Sequence, residues 1–212
     1  MKITFESVIP KPMSDSPKES DIWLNSTEFL PNTLYQIVAP SGTGKTSLVH
    51  ILFGIRKDYN GVVKFDSEDI STFSLNNWSE IRRTKLSILF QGLRLFPELD
   101  LWENIRIKNK LTNYKTDEQI QSIIERLGLA AHVNKPAGIL SFGQKQRVAL
   151  IRALCQPFEC LLLDEPFSHL DETNSRICMQ IIEEEIAEQN AMAILTALEL
   201  QNYSEKQNVL YL

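Results

Sequence analysis

An α/β fold built on a parallel sheet is what this chain predicts, and three observations predict it. Short apolar or β-branched segments alternate with segments that repeat their apolar residues at helical spacing. Cys160-Leu161-Leu162-Leu163 is apolar at every position, as a strand covered on both faces of a parallel sheet must be. Leu34–Val38, aromatic and β-branched, runs directly into a glycine-bearing stretch that opens a helical pattern.

The elements follow in order. Residues 2–9 alternate and predict a strand. Residues 10–21 hold Pro10, Pro12 and Pro17 among Ser, Lys, Asp and Glu, the composition of an exposed connector. A short strand is expected at 22–24, a second over Leu34–Val38, and a helix over 46–54 that stops at Gly54. Asn60-Gly61 reads as a turn ahead of a strand at 62–65. A helix at 78–84 and a buried strand at 86–90 lead to Gln91. Residues 92–111 are irregular and rich in Leu, Phe and Trp. Helices are expected at 117–127, closed by Gly128, and at 141–154, with Ser141 as N-cap. The strand 160–163, a long helix at 172–188 and strands at 193–196 and 209–212 complete the chain, without internal repeats.

Bulk properties narrow the function classes. With 212 residues the chain can bury one substantial core plus a smaller lobe. Its 27 acidic against 22 basic residues argue against a nucleic-acid partner, which would favour a basic surplus. Cys155, Cys160 and Cys178 lack paired spacing and sit in apolar runs, as expected of a reduced compartment without disulfides or zinc. The start, Met1-Lys2-Ile3-Thr4-Phe5, turns polar too early for a secretory signal, and no apolar run approaches the ~20 residues that span a bilayer.

Two motifs carry chemistry. Ala39-Pro40-Ser41-Gly42-Thr43-Gly44-Lys45-Thr46 joins a strand to a helix. Its glycines let backbone N–H groups wrap phosphate oxygens, Lys45 reaches the outer phosphates, and the Thr46 hydroxyl suits Mg²⁺. Ala39 stands where the pattern usually begins with glycine. Downstream, the apolar strand 160–163 delivers Asp164, a metal-binding acid, and Glu165, able to deprotonate water. In this order the two describe a site for a nucleoside triphosphate with Mg²⁺.

A third stretch points to a family. Leu140-Ser141-Phe142-Gly143-Gln144, followed by residues 145–154, resembles the signature of ATP-binding cassette (ABC) proteins. Gln91 after a strand, Pro166 after the acidic pair, and Ser168-His169-Leu170-Asp171 match further family stretches in order. The wording around 90–105 is most similar to the lipoprotein-release, macrolide-export and cell-division branch. The resemblance implies an ABC-type P-loop ATPase domain: a RecA-like core over about 1–90 and 155–212, a mainly helical subdomain over about 91–154, and an N-terminal antiparallel β region. It implies binding of the nucleotide by Ser41, Gly42, Thr43, Gly44, Lys45, Thr46 and Ser47. Across a head-to-tail dimer, Ser141, Gly143 and Gln144 of the other subunit would contribute. Thr46, Gln91 and Asp164 would serve Mg²⁺, with Glu165 as general base supported by Gln91 and Lys45.

Three departures bear on function. The family's switch histidine is missing, because 195–199 read Leu-Thr-Ala-Leu-Glu and leave Thr196 or Ala197 at its position. Among His50, His132 and His169, only His169 lies in a matching loop, as a surface residue or one able to approach a phosphate. Phe142 replaces the signature's first glycine, and residues 9–13 lack the aromatic that often stacks on adenine.

By the same resemblance the chain is an ATPase subunit, a homodimer or a heterodimer with a related subunit, held on the inner face of the cell membrane by an integral membrane permease. The permease would dock near Gly92 to Trp102, where Leu93, Leu95, Phe96 and Trp102 form either the floor of a socket or part of the helical core. The competing expectation is a nucleotide-dependent switch or clamp with little turnover. A cassette acting on DNA or ribosomes fits the acidic balance less well.

Overall fold

The computed structural model describes residues 1–15, 19–204 and 207–212. In chain order the strands are β1 (Ile3–Pro10), β2 (Ser26–Phe29), β3 (Leu34–Val38), β4 (Tyr59–Phe65), β5 (Glu68–Asp69), β6 (Leu86–Leu89), β7 (Cys160–Asp164), β8 (Met192–Ala197) and β9 (Gln207–Tyr211). The α-helices are α1 (Lys45–Leu52), α2 (Leu75–Thr84), α3 (Leu101–Asn109), α4 (Asp117–Arg126), α5 (Phe142–Leu154) and α6 (Glu172–Gln189). Five strands form an all-parallel sheet in the order β6-β7-β8-β3-β9, and four form an antiparallel sheet in the order β2-β1-β4-β5.

The period of two along each parallel strand divides its side chains between two cores. Leu161 and Leu163 of β7, with Ala193 and Leu195 of β8, pack among Ile105, Ile120, Ile124, Leu150 and Ile182 of the helices. Their neighbours Cys160, Leu162, Met192 and Ile194 face the other way, toward Phe5, Phe29, Leu48 and Ile51. Each fully buried Leu or Ile in these cores contributes about 1.5–3 kcal/mol. The parallel sheet is thus clamped by helices on one side and by α1 with the antiparallel sheet on the other. None of the helices among the described residues is long and apolar enough to cross a membrane.

Local chemistry sets the helix starts. Ser74 with Asn77, Asp100 with Glu103, Thr116 with Gln119 and Ser141 with Gln144 form reciprocal capping boxes at α2, α3, α4 and α5. Each cap is worth about 1 kcal/mol.

Three expectations are corrected. Residues 22–24 are not a strand. The Ser20 hydroxyl accepts from Ile22 N and Trp23 N at 3.0 and 2.9 Å, bending the chain so that Ile22 and Trp23 plug the core. The strand comes later, as β2. Asn60-Gly61 is not a turn but lies within β4, where the β1 pairing shifts register between Glu6 and Ile9. Gly61 there has φ +87°, and a Cβ on it would come within 2.4 Å of the Ser7 carbonyl oxygen. Within 92–111, nine residues form α3, which the Asp100-x-x-Glu103 capping pair already announced. The connector expected at 10–21 contains a short 3₁₀ turn, Lys11–Met13, and Pro17 lies outside the described residues.

One ion pair inside the fold is dry. Lys115 Nζ meets Glu185 Oε1 at 2.6 Å, with the side chains 4% and 8% exposed. Lys115→Met strands the Glu185 carboxylate and should lower unfolding free energy by about 3–5 kcal/mol. Lys2→Met, which breaks the exposed pair with Glu28, should cost about 1 kcal/mol or less. Urea denaturation of the two variants checks the contrast.

Candidate functional site

The C-terminal ends of β3, β7 and β8 meet at one edge of the parallel sheet, where ligands enter open α/β sheets. The loop from Ala39 to Gly44 leaves β3 there and turns through Gly42 (φ +80°) and Gly44 (φ +103°) into α1. No side chain caps this helix, so its first N–H groups and positive dipole end remain free for an anion. Ala39 keeps out of the left-handed region and is 2% exposed, so its methyl group sits in the core without straining the loop. Lys45, 4% exposed, donates to the carbonyls of Ala39 (2.7 Å) and Pro40 (2.9 Å) and lies 3.3 Å from Glu165 Oε1. Glu165 Oε2 accepts from Gln91 Nε2 at 3.2 Å. Ser41, Gly42, Gly44, Lys45, Thr46, Ser47, Gln91 and Glu165 therefore line one cleft, joined by Pro12, Met13 and Arg56. Thr43 does not: it is buried, with its hydroxyl on the Pro40 carbonyl.

A single hydroxyl organises the acids. Thr196 pairs in register with Asp164 across β7 and β8. Its Oγ1 donates to Asp164 Oδ1 at 2.9 Å and accepts from the Glu165 N–H at 3.0 Å, fully buried. Glu165 sits in the left-handed region at φ +51°, a strained position for a non-glycine residue. Its carbonyl accepts from Gln146 Nε2 (3.1 Å) and Ser168 Oγ (3.2 Å), which helps hold it there. Burial pushes the Asp164 carboxyl above the usual aspartate range, against the lowering effect of hydrogen bonds from Thr196 and Thr46. Burial also lowers the His50 pKa, and Arg56 and Arg94 add to the lowering while Asp164 opposes it. The oxygen donors around Thr46 and Asp164 suit a hard cation that shares its shell with phosphate and water. A closed protein cage is not the design, and no cluster of three His, Cys, Asp or Glu exists among the described residues.

Ser141, Gly143 and Gln144 lie at the start of α5, away from the cleft lining. Ser141 caps the helix, and Gln144 is engaged within the chain, with its oxygen on Ser141 N (2.9 Å) and its nitrogen on His132 Nε2 (3.0 Å). His169 packs its exposed ring against Phe142, with centroids 4.2 Å apart. The Gly143 backbone is pressed against the His169 carbonyl, which a Cβ would approach to 3.0 Å. Of the apolar residues after Gln91, Leu93 is core, Leu95 and Trp102 are partly buried against it, and Phe96 is 50% exposed.

Three residues gained a place at the site that sequence reasoning had not assigned. Trp23 donates its indole N–H to the Thr43 carbonyl (3.3 Å) and underlies Gly44. Arg56 reaches back to Ser47. Thr196, considered only as a poor stand-in for histidine, is the link between both acids. A buried aromatic ahead of the loop and a cation after α1 carry no motif, so spacing alone does not find them.

Comparison with known proteins agrees with this geometry. Residues 25–168 match the ABC transporter family. An uncharacterized ABC transporter ATP-binding protein of Mycobacterium tuberculosis is 34% identical over 155 residues, covering 72% of this chain and 47% of that protein. The chain thus spans about half the length of this relative. The lipoprotein-releasing system ATP-binding protein LolD of Buchnera aphidicola is 32% identical, covering 78% of this chain and 73% of that one. The macrolide export ATP-binding/permease protein MacB of Nitrosomonas europaea is also 32% identical, over 77% of this chain and 25% of its own. A bacterial ABC transporter cassette solved as a dimer superposes with a TM-score of 0.81 at 22% identity, covering 99% of this chain and 94% of that chain.

Thr196→Val keeps the shape of the side chain but leaves Glu165 N–H and Asp164 Oδ1 without their shared partner. Stability measured by chemical denaturation should fall by about 1–3 kcal/mol, and Thr196→Ser should recover most of it.

Proposed function

The chain belongs to the ABC transporter family, within the branch that holds LolD and MacB, and from that premise we propose that it is the ATP-binding and hydrolysing subunit of an ABC transporter. The observation that carries this reading is the convergence of Lys45, Gln91 and Glu165 in one cleft, with Lys45 3.3 Å and Gln91 3.2 Å from the Glu165 carboxylate. A buried ammonium held by two carbonyls and one acid is a cation prepared for a stronger anion. A triphosphate entering the loop draws Lys45 onto its outer phosphates and releases Glu165. Glu165 then takes a proton from a water that attacks the γ-phosphorus. As that bond forms, the bond to the β–γ bridging oxygen breaks, and ADP with inorganic phosphate is left. Mg²⁺, when bound, neutralises phosphate charge, and Thr46, Asp164 and Gln91 are the residues to hold it.

On this reading the domain spans 1–212, with a core over about 1–90 and 155–212 and a helical subdomain over about 91–154. Two copies, or this chain and a related subunit, close on ATP so that Ser141 and the Gly143 N–H meet the γ-phosphate of the other subunit. That a solved structure of the same fold is a dimer supports pairing of two subunits. A membrane permease docks near Gly92 to Trp102, where exposed Phe96 offers contact area. This places the protein in the cytoplasm, on the inner face of the membrane. The acidic balance favours no nucleic-acid partner.

Ala197, next to Thr196 at the end of β8, favours a second reading. Without an imidazole beside the γ-phosphate, the subunit acts as a nucleotide-dependent switch that closes on ATP and turns it over slowly.

Lys45→Ala should weaken ATP·Mg²⁺ binding about 100-fold, the scale of charge-assisted bonds lost from a desolvated site. Glu165→Gln should keep binding and lower turnover about 10²–10⁴-fold. Calorimetry and a phosphate-release assay measure the two, and normal turnover in Glu165→Gln would remove the general base from the scheme. Wild-type turnover below about 0.01 s⁻¹, with and without permease, favours the switch over the motor, since enzymes of ordinary rate reach about 1–10³ s⁻¹.

A further inference from the structure

Two cations line the cleft. Lys45, with Gln91, holds Glu165. Arg56 is the other, in a lining that also includes Ser47, Pro12 and Met13. Its guanidinium donates through Nη1 to Ser47 Oγ at 2.7 Å and grips Asp58 in a fork, Nε to Oδ1 at 3.0 Å and Nη2 to Oδ2 at 2.9 Å. These bonds use three of the five N–H donors that a guanidinium carries, and no partner for the other two is found among the described residues. The fork fixes the plane of the group, and that fixed plane separates an arginine here from a mobile lysine. Asp58 also anchors a second part of the lining: its carbonyl accepts from Lys11 N at 3.0 Å, holding the turn that carries Pro12 and Met13. The side chain of Arg56 is only 25% exposed, so an anion reaching it would be partly desolvated.

Position along the cleft says which anion. Lys45 serves the outer phosphates and Thr46 the metal end, and Ser47 follows them into the first turn of α1. Arg56 bonds Ser47 and not Glu165, so on the phosphate-loop reading it stands nearer the inner than the outer end of a triphosphate.

We propose that Arg56 is a nucleotide-binding residue that contacts the α-phosphate, so that this site grips a nucleoside triphosphate by cations at both ends of its phosphate chain. The proposal rests on the phosphate-loop reading given above. The α-phosphate is common to all nucleotides, so Arg56 adds affinity without selecting the base. Asp58 is a positioning residue for it.

The two diastereomers of adenosine 5′-O-(1-thiotriphosphate) test this, because sulfur replaces one or the other non-bridging oxygen at the α-phosphorus alone. Binding of each, of adenosine 5′-O-(3-thiotriphosphate), and of ATP and GTP, is measured by calorimetry with Mg²⁺ on wild type, Arg56→Ala and Arg56→Lys. Arg56→Ala should weaken ATP and GTP alike, by about 10-fold. Its preference between the α-thio diastereomers should change at least about threefold, while the effect of a γ-thio group stays as in wild type. Arg56→Lys keeps the cation and loses the fork, so its affinity should fall less while the diastereomer preference still shifts. An unchanged diastereomer preference in both variants, ATP affinity within twofold of wild type, or a loss confined to one base would overturn the proposal. Failure of the wild type to bind any of these nucleotides would instead overturn the phosphate-loop reading on which it stands.

Discussion

The site is organised around one buried cation. Lys45 leaves the first turn of α1 and is almost wholly removed from water. An ammonium in that position is costly unless its donors are used, and here two backbone carbonyls and the Glu165 carboxylate use them. Those partners belong to the loop after β3 and the strand end of β7, so satisfying one charge ties two elements together. The same arrangement keeps the acid and the cation within reach of anything that enters the cleft.

A second constraint acts on the backbone. Glu165 adopts a left-handed conformation, and its N–H, carbonyl and carboxylate are each held by a different element. Thr196 holds the N–H from β8, Gln146 the carbonyl from α5, and Gln91 the carboxylate from the end of β6. Gln146 thus ties α5 to the Glu165 backbone. Since α5 begins at Ser141 and Phe142 rests on His169, the start of that helix also packs on the loop after β7.

Much of this was legible in the chain. Continuous apolar runs and helical patterns located the parallel strands and the longer helices, because a strand covered on both faces has no position that must be polar. The capping pair Asp100 and Glu103 is equally legible, but the crowd of Leu, Phe and Trp around it obscures the helical period. Residues 22–24 were misassigned because burial, not strand pairing, makes them apolar. Gly61 was misread because a bulge and a turn ask for the same residue.

By itself the sequence located the glycine-bearing loop before α1, the acidic pair at the end of β7 and the serine that caps α5, because each is a local run with its own spacing. It also determined the alternation that makes an α/β sheet. Only the tertiary structure decided that Thr196 joins Asp164 to Glu165, that Trp23 braces Thr43, and that Arg56 and Met13 complete the cleft. Those partners are separated along the chain and converge because strands β3, β7 and β8 end side by side. Hydrogen bonds between distant residues depend on where the packed sheet puts them, and no local pattern encodes that.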